Sequence, residues 1–347
     1  MAIRVLVVDD SALIRSLLGE IIRQEKDMVL IGTAADAFQA KSLVQQHRPD
    51  VITLDVEMPK VDGLTFLDRL MKAQPTPVLM ISTLTEKGAA VTLKALELGA
   101  VDYIAKPKID VSKGIEHYRQ LICEKIRIAA KAKVGQRPVV AKAQSKFQYQ
   151  TTEKVIAIGA STGGTEAIRE LLQSLPADMP GMVITQHMPA GFTATFAARL
   201  NQCTPFNVTE AKGGERLVPG RVFIAPGSLH LRIVRSGADY VTQVVDGPLV
   251  SGHKPSVDEL FYSVAEQAGA NALGVILTGM GKDGAQGMLV MQQAGAMTLA
   301  QDEQSSLIYG MPKEALKLGG VNQVCSLASM GQSMLDALVK MGKGHRI

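Results

Sequence analysis

Two groups of residues in this sequence could do covalent chemistry. The first combines carboxylates with one amine: Asp9-Asp10 follow the apolar run Ile3 to Val8, Asp55 follows Val51 to Leu54, and Lys106-Pro107 follow Val101 to Ile104. Carboxylates gathered at one place repel one another unless a hard cation such as Mg²⁺ sits among them with oxygen ligands. With that cation, Asp55 could attack a phosphoryl group while the metal and the Lys106 ammonium offset charge on the transferred oxygens, giving an aspartyl phosphate. Ser82, directly after the run Pro77 to Ile81, is placed to donate a hydrogen bond to that phosphoryl group and so report its presence. Read singly, each Asp is a helix cap or turn former. Their recurrence after successive apolar runs is what points to chemistry.

The second group is a serine, a histidine and an aspartate. Val155 to Ala160 leads to Ser161 and the turn Thr162-Gly163-Gly164, ahead of a helical pattern over Thr165 to Leu175. A hydroxyl there would be exposed beside the positive end of a helix dipole. The segment lacks the Gly-x-Ser-x-Gly pattern, the lysine of a phosphate loop and dinucleotide glycine spacing, and alone it reads as a structural glycine turn. His187 follows Val183 to Gln186, and Asp283 follows Leu273 to Gly281 by two residues, so all three could meet. His187 would then take the Ser161 proton while Asp283 fixes the imidazole tautomer. The plainer alternatives stay open at this point: a structural histidine at a strand end, and Asp283 capping the helix that follows it. Backbone N–H groups of Gly279-Met280-Gly281 and Gly163-Gly164 could form an oxyanion hole. His253 in Ser251-Gly-His-Lys-Pro-Ser256 is read as lining the substrate, and His47, His117, His230 and His345 as structural or surface residues.

The elements that must position these residues follow from hydrophobic periodicity. In the first third, the runs Ile3 to Val8, Met28 to Gly32, Val51 to Leu54, Pro77 to Ile81 and Val101 to Ile104 are five predicted strands separated by helical patterns. Strict alternation implies a parallel sheet wound on both faces, whose C-terminal strand ends converge on one edge where such folds bind ligands. The last helix of this unit runs from near Gly114 to about Ala130. The basic stretch Lys131 to Lys146, interrupted by Gly135 and Pro138, reads as a linker. A second alternating pattern places strands at Val155 to Ile158, Met182 to Thr185, Arg221 to Ala225, Leu229 to Val234, Tyr240 to Val245, Leu273 to Leu277 and Ala296 to Leu299. The middle three, joined by short turns, suggest an antiparallel insertion. The expected fold is therefore α/β: a doubly wound (βα)5 domain over 1–125, a linker over 126–152, and a mostly parallel α/β catalytic domain over 153–347.

The motifs Val7-Val8-Asp9-Asp10-Ser11, Asp50 to Pro59 and Ala105-Lys106-Pro107 resemble the bacterial response-regulator receiver family. That resemblance implies Mg²⁺ held by Asp10, Asp55 and the Glu57 backbone carbonyl, with Asp9 supporting it through water. It also implies a cis Lys106–Pro107 peptide and a histidine kinase as phosphodonor. Ile158 to Gly164, Gln186-His187-Met-Pro189, Gly252 to Asp258 and Leu277 to Gly284 resemble the chemotaxis protein-glutamate methylesterase family. This second resemblance implies hydrolysis of glutamyl methyl esters on chemoreceptors, with deamidation of glutamines in many members. It further implies Ser161 as nucleophile, His187 as base, Asp283 as orienter, Thr162 and the Met280 N–H at the oxyanion, and no cofactor for ester hydrolysis.

Composition narrows the field. The chain of 347 residues is 46% hydrophobic and 20% charged, which fits a soluble protein of two domains and excludes a wholly disordered one. The net charge of +4 lies largely in the linker, so nucleic acid is not an expected partner. A receiver with a DNA-binding output would instead need a short, basic, helical second half. Met-Ala-Ile-Arg leads straight into an apolar strand with no signal-peptide layout, and no run is long enough to span a bilayer, so a cytoplasmic protein without membrane insertion is expected. Cys123, Cys203 and Cys325 show no metal or redox spacing and read as packing residues. No heptad appears, and a monomer is expected. Residue chemistry alone does not give the sign of regulation; the hypothesis that the family resemblance supports is that the unphosphorylated first domain blocks access to Ser161 and that phosphorylation of Asp55 relieves the block.

Overall fold

The computed structural model describes residues 2–58, 61–82, 86–106, 115–135 and 154–343. The chain divides into two compact units between Gln136 and Arg137. The first alternates strands β1 (Ile3–Val8), β2 (Met28–Ala34), β3 (Val51–Asp55), β4 (Val78–Ser82) and β5 (Asp102–Ala105) with helices α1 (Ala12–Arg23), α2 (Ala37–His47), α3 (Gly63–Ala73), α4 (Glu86–Glu97) and α5 (Ile115–Ala129). All strand pairs are parallel, in the order β2-β1-β3-β4-β5. The strands β3 and β4 are buried throughout because helices cover both faces of the sheet. Helix starts are set by side-chain caps: Ser11 accepts from the Ile14 N–H, Asp36 from Phe38 and Asp62 from Thr65.

The second unit contains strands β6 (Val155–Ala160), β7 (Gly181–Gln186), β8 (Asn207–Glu210), β9 (Arg221–Ile224), β10 (His230–Ser236), β11 (Asp239–Val245), β12 (Ala272–Ile276), β13 (Met297–Gln301) and β14 (Gln323–Cys325). Its helices are α6 (Gly164–Ser174), α7 (Thr193–Cys203), α8 (Val257–Ala268), α9 (Ala285–Gln293), α10 (Met311–Lys317) and α11 (Leu327–Lys343). Seven strands form one parallel sheet in the order β14-β13-β12-β6-β7-β9-β8. From β6 the chain winds outward through β7, then returns to the other side through β12, so the strand order reverses at β6. Ligand sites of open α/β sheets lie at such a reversal. Val155, Ala157, Val183, Phe223, Val257, Phe261 and Ile276 are among the fully buried residues of the core there.

Two expectations need correction. The antiparallel insertion has two strands rather than three: β10 and β11 form the hairpin, whereas β9 pairs in parallel with β7 and β8. The distinction lies in burial, since β9 is buried at three of its four positions, as an interior parallel strand must be, while β10 and β11 alternate. The edge strands β8 and β14 are additional, and their short polar sequences give little hydrophobic signal. A seven-stranded sheet also removes the alternative of a short basic helical output domain. The Lys106–Pro107 bond and most of the linker fall outside the described residues. No described helix is long and apolar enough to cross a membrane.

Candidate active site

Parallel register brings Ser161 and His187 together. Ala160 pairs with Gln186 across β6 and β7, so the next residue of each chain segment is a neighbour. The pairing continues past the strand ends, with the His187 N–H donating to the Ala160 carbonyl at 3.2 Å and the Ser161 N–H to the Thr278 carbonyl at 3.1 Å. The Gln186 side-chain amide donates to the Ser161 carbonyl at 2.9 Å and to the His187 carbonyl at 3.2 Å, tying the two backbones. Gly279 must be glycine for this approach, because a Cβ there would stand 2.7 Å from Ser161 Cβ.

The side chains then form one line. Ser161 Oγ lies 3.1 Å from His187 Nδ1, and His187 Nε2 lies 2.7 Å from Asp283 Oδ2. With Asp283 ionised, the Nε2–H donates to the carboxylate and leaves the Nδ1 lone pair to accept the Ser161 O–H. Asp283 is buried and saturated. It accepts from the Val257 N–H at 2.8 Å, the Asp258 N–H at 3.0 Å and the Ser256 hydroxyl at 2.8 Å. Thus Asp283 does act at a helix start, but that of α8, not of the helix following it in sequence. Burial alone would raise this carboxyl, yet the His187 hydrogen bond and charge, with the N–H groups of Asp258 and Val257, hold it down at about 2.

Thr162 is buried and its carbonyl accepts from Thr278 Oγ1 at 3.1 Å. Part of the glycine expectation needs revision: the Gly164 N–H donates to the Ser161 carbonyl at 2.7 Å, and the Gly279 N–H to the Ile308 carbonyl at 3.1 Å. Those two groups are committed to the fold. The Met280 and Gly281 N–H groups make no hydrogen bond among the described residues and stay available. His253 is stacked on His187, with ring centroids 3.7 Å apart and planes 13° apart. Sequence reading assigned His253 to the substrate and missed the stack, for which residue spacing carries no signal. His230 is buried, its Nε2 within 2.9 Å of the Pro248 carbonyl, as a structural histidine should be.

The first unit has its own polar cluster at the C-terminal sheet edge. Val8 pairs with Leu54, Asp55 with Ile81, and Ser82 with Ala105, which brings Asp9, Asp55, Ser82 and Lys106 to that edge. Lys106 Nζ lies 2.7 Å from Asp55 Oδ2 and 3.3 Å from Asp9 Oδ2. Carboxylate oxygens of Asp9, Asp10 and Asp55 all lie within 4.8 Å of one another. Asp9 Oδ2 is buried and, apart from the Lys106 ion pair, has no hydrogen-bond donor among the described residues, which makes it a candidate ligand atom. Burial raises the Asp55 carboxyl to about 6 despite the Lys106 hydrogen bond, and the charge of Asp9 adds to the rise. The Glu57 N–H donates to Asp55 Oδ1 at 3.3 Å. Ser82 is buried and its hydroxyl accepts from Thr92 Oγ1 of α4 at 2.7 Å.

Comparison with known proteins matches both units. Residues 156–334 fit the model of the CheB methylesterase family, and residues 5–118 fit the response regulator receiver domain. The chain is 56% identical to the protein-glutamate methylesterase/protein-glutamine glutaminase of Methylobacillus flagellatus, with 100% of each chain covered. It is 53% identical to protein-glutamate methylesterase/protein-glutamine glutaminase 2 of Pseudomonas aeruginosa, again over 100% of each. Among solved structures, the CheB methylesterase catalytic domain of Thermotoga maritima is 32% identical with a TM-score of 0.52, covering 54% of this chain and 99% of that one.

Proposed function

The chain belongs to the CheB methylesterase family, and from that membership and the two polar clusters we propose a full assignment of its chemistry. It is a phosphorylation-regulated serine hydrolase, a protein-glutamate methylesterase with protein-glutamine glutaminase activity. Its substrates in this reading are glutamyl methyl esters and glutamines of chemoreceptors, met in the cytoplasm by a monomeric enzyme. A chemotaxis histidine kinase is the phosphodonor.

The observation that carries the reading is the Ser161–His187–Asp283 line at 3.1 and 2.7 Å. Ser161 Oγ attacks the ester carbonyl while His187 Nδ1 takes its proton, and Asp283 stabilises the imidazolium through Nε2. The oxyanion is stabilised by Thr162 and the Met280 N–H; such a donor is typically worth about 100- to 1,000-fold in rate. As the C–O bond breaks, His187 returns the proton to methoxide and methanol leaves. Water then attacks the glutamyl ester of Ser161, His187 takes the water proton and returns it to Ser161, and a glutamate carboxylate is released. Glutamine follows the same course with ammonia as leaving group.

In the receiver, Asp9, Asp10, Asp55 and the Glu57 carbonyl are the residues that would hold Mg²⁺, which supplies neutralising charge for the phosphoryl oxygens. Three crowded carboxylates and the buried Asp9 oxygen fit such an ion. Asp55 accepts the phosphoryl group, Lys106 offsets its charge, and Ser82 leaves its partner on α4 to bind it. The test is methanol release from methylated chemoreceptor membranes by the intact protein and by Ser161→Ala, each with and without a small phosphodonor and Mg²⁺. Release that rises with phosphodonor and vanishes in Ser161→Ala is the expected result; undiminished release from Ser161→Ala rejects the nucleophile.

A further inference from the structure

A second buried carboxylate stands directly behind the proposed triad. Asp258, in the first turn of α8, is 3% exposed. Its backbone N–H donates to Asp283 Oδ1, and its carboxyl, raised above the usual range by burial and by the neighbouring Asp283 charge, has two further partners. Asp258 Oδ1 accepts the Gly287 N–H of α9 at 2.7 Å, and Oδ2 accepts the Ser251 hydroxyl at 2.9 Å. Ser251 and Gly252 are the central residues of a tight turn, with φ of 51° and 82°. Two backbone hydrogen bonds between Val250 and His253, at 3.1 and 2.9 Å, close it. A serine in the left-handed region is uncommon, and here its hydroxyl is tied down by Asp258. The residue leaving this turn is His253, whose ring lies face to face with His187.

The stack supplies something the triad hydrogen bonds lack. Both bonds of His187 hold its ring nitrogens, and neither packs a face of the ring, which can still tilt through small changes of its two side-chain torsions. A flat neighbour whose ring centroid lies 3.7 Å away packs one face and limits that tilt. The need is greatest at the acyl-enzyme stage. Ser161 then has no O–H to donate, only Asp283 holds the ring, and yet Nδ1 must face an incoming water.

We propose that Asp258 is a positioning residue for deacylation: by fastening the Val250–His253 turn to the start of α8, it keeps His253 as a flat backing on His187 while Ser161 is acylated. This inference rests on the reading of Ser161 as nucleophile and His187 as base. It adds no proton-transfer step. Asp258 touches neither substrate nor His187; besides its charge contact with Asp283, its proposed action runs through the turn.

The variants are Asp258→Ala, Ser251→Ala, His253→Ala, Asp258→Asn and His253→Phe, made in the full chain and assayed by rapid-mixing methanol release from methylated chemoreceptor membranes. Ser251→Ala leaves the buried contacts of α8 and α9 intact and so covers the case in which Asp258→Ala does not fold. Methanol leaves in the acylation step, so slowed deacylation gives a burst of about one methanol per enzyme followed by a slow phase. In the three alanine variants kcat is expected to fall about 10- to 100-fold, the range for a misplaced catalytic group. KM should fall with it, keeping kcat/KM within about threefold of the parent because only the later step is slowed. Asp258→Asn, which can accept from Gly287 and donate to Ser251, and His253→Phe, which keeps a flat ring, should recover most of kcat.

A parental kcat in Ser251→Ala overturns the proposal. So does a fall in kcat/KM equal to that in kcat with no burst, which is what general loosening would give. His253→Phe as slow as His253→Ala would mean that the imidazole itself is required, and overturns it too. Ser161→Ala separates the two levels. If that variant still turns over, the nucleophile reading has failed; if it is inert while Ser251→Ala is parental, only the positioning role of Asp258 has.

Discussion

The Asp283 carboxylate accepts from His187 and also from Ser256, Val257 and Asp258, so one side chain both orients the imidazole and caps α8. Asp283→Asn keeps one carbonyl oxygen but presents an NH₂ to groups that are themselves donors, and the favoured histidine tautomer is lost. Methanol release should drop by roughly 10⁴-fold, the scale known for this change in a serine triad, and the esterase unit should melt at lower temperature. Asp55 shows the opposite balance. Its folded-state carboxyl is raised from 3.8 to about 6, chiefly by burial. Between those values the folded receiver binds more protons than the unfolded chain, so its stability falls as pH rises through that window. The metal-free receiver should therefore lose on the order of 3 kcal/mol from this group between about pH 4 and pH 7. In chelator, Asp55→Asn should melt above the parent at pH 7 and match it near pH 4. Mg²⁺ should raise the parent's melting temperature far more than that of the variant. An unchanged melting temperature at pH 7 would show that Asp55 is not under this strain.

At the scale of elements, β6 delivers Ser161 at the reversal of strand order, and the loop after β12 approaches it closely at Gly279. Gly279→Ala should lower methanol release at least tenfold, on the general scale for misplaced reacting groups, because the added methyl meets Met311 Sδ, a flexible side-chain end, and then Ser161 Cβ and N, which it would displace. Equal activity in Gly279→Ala would show that the turn can yield. Much of this arrangement was legible in the sequence. The alternation of Val- and Ile-rich runs with amphipathic stretches gave the parallel sheets, and the chemistry-bearing residues beyond those runs gave the shared edge. The assignment of β9 to the antiparallel insertion failed because turn spacing does not reveal which neighbour a strand pairs with. Strands β8 and β14 escaped because polar edge strands carry little periodicity. The backing of His187 by His253, and the attachment of Asp283 to α8 instead of to the helix after it, are long-range contacts that no local pattern encodes.

At the scale of the whole molecule, two units with separate sheets share one chain, and each carries its own chemistry. Among the described residues, a large core cluster of the second unit, from Val155 to Ala315, lies on that unit's own elements, so that unit should fold without the receiver. If regulation acts by obstruction, it shifts a population in which Ser161 is accessible. A tenfold change in that population requires only about 1.4 kcal/mol. Forming one phosphoryl contact network at Asp55, Lys106 and Ser82 can supply this, because hydrogen bonds to charged groups are each worth about 1.5 to 3 kcal/mol. If the unphosphorylated receiver blocks access, deleting residues 1 to about 150 removes the block together with its switch. The truncated enzyme should release methanol faster than the unphosphorylated intact protein, and a phosphodonor should no longer change its rate. Basal release that is unchanged or lower after truncation, in an enzyme still inactivated by Ser161→Ala, would rule out obstruction. The receiver would then have to raise activity by assisting the esterase unit when phosphorylated.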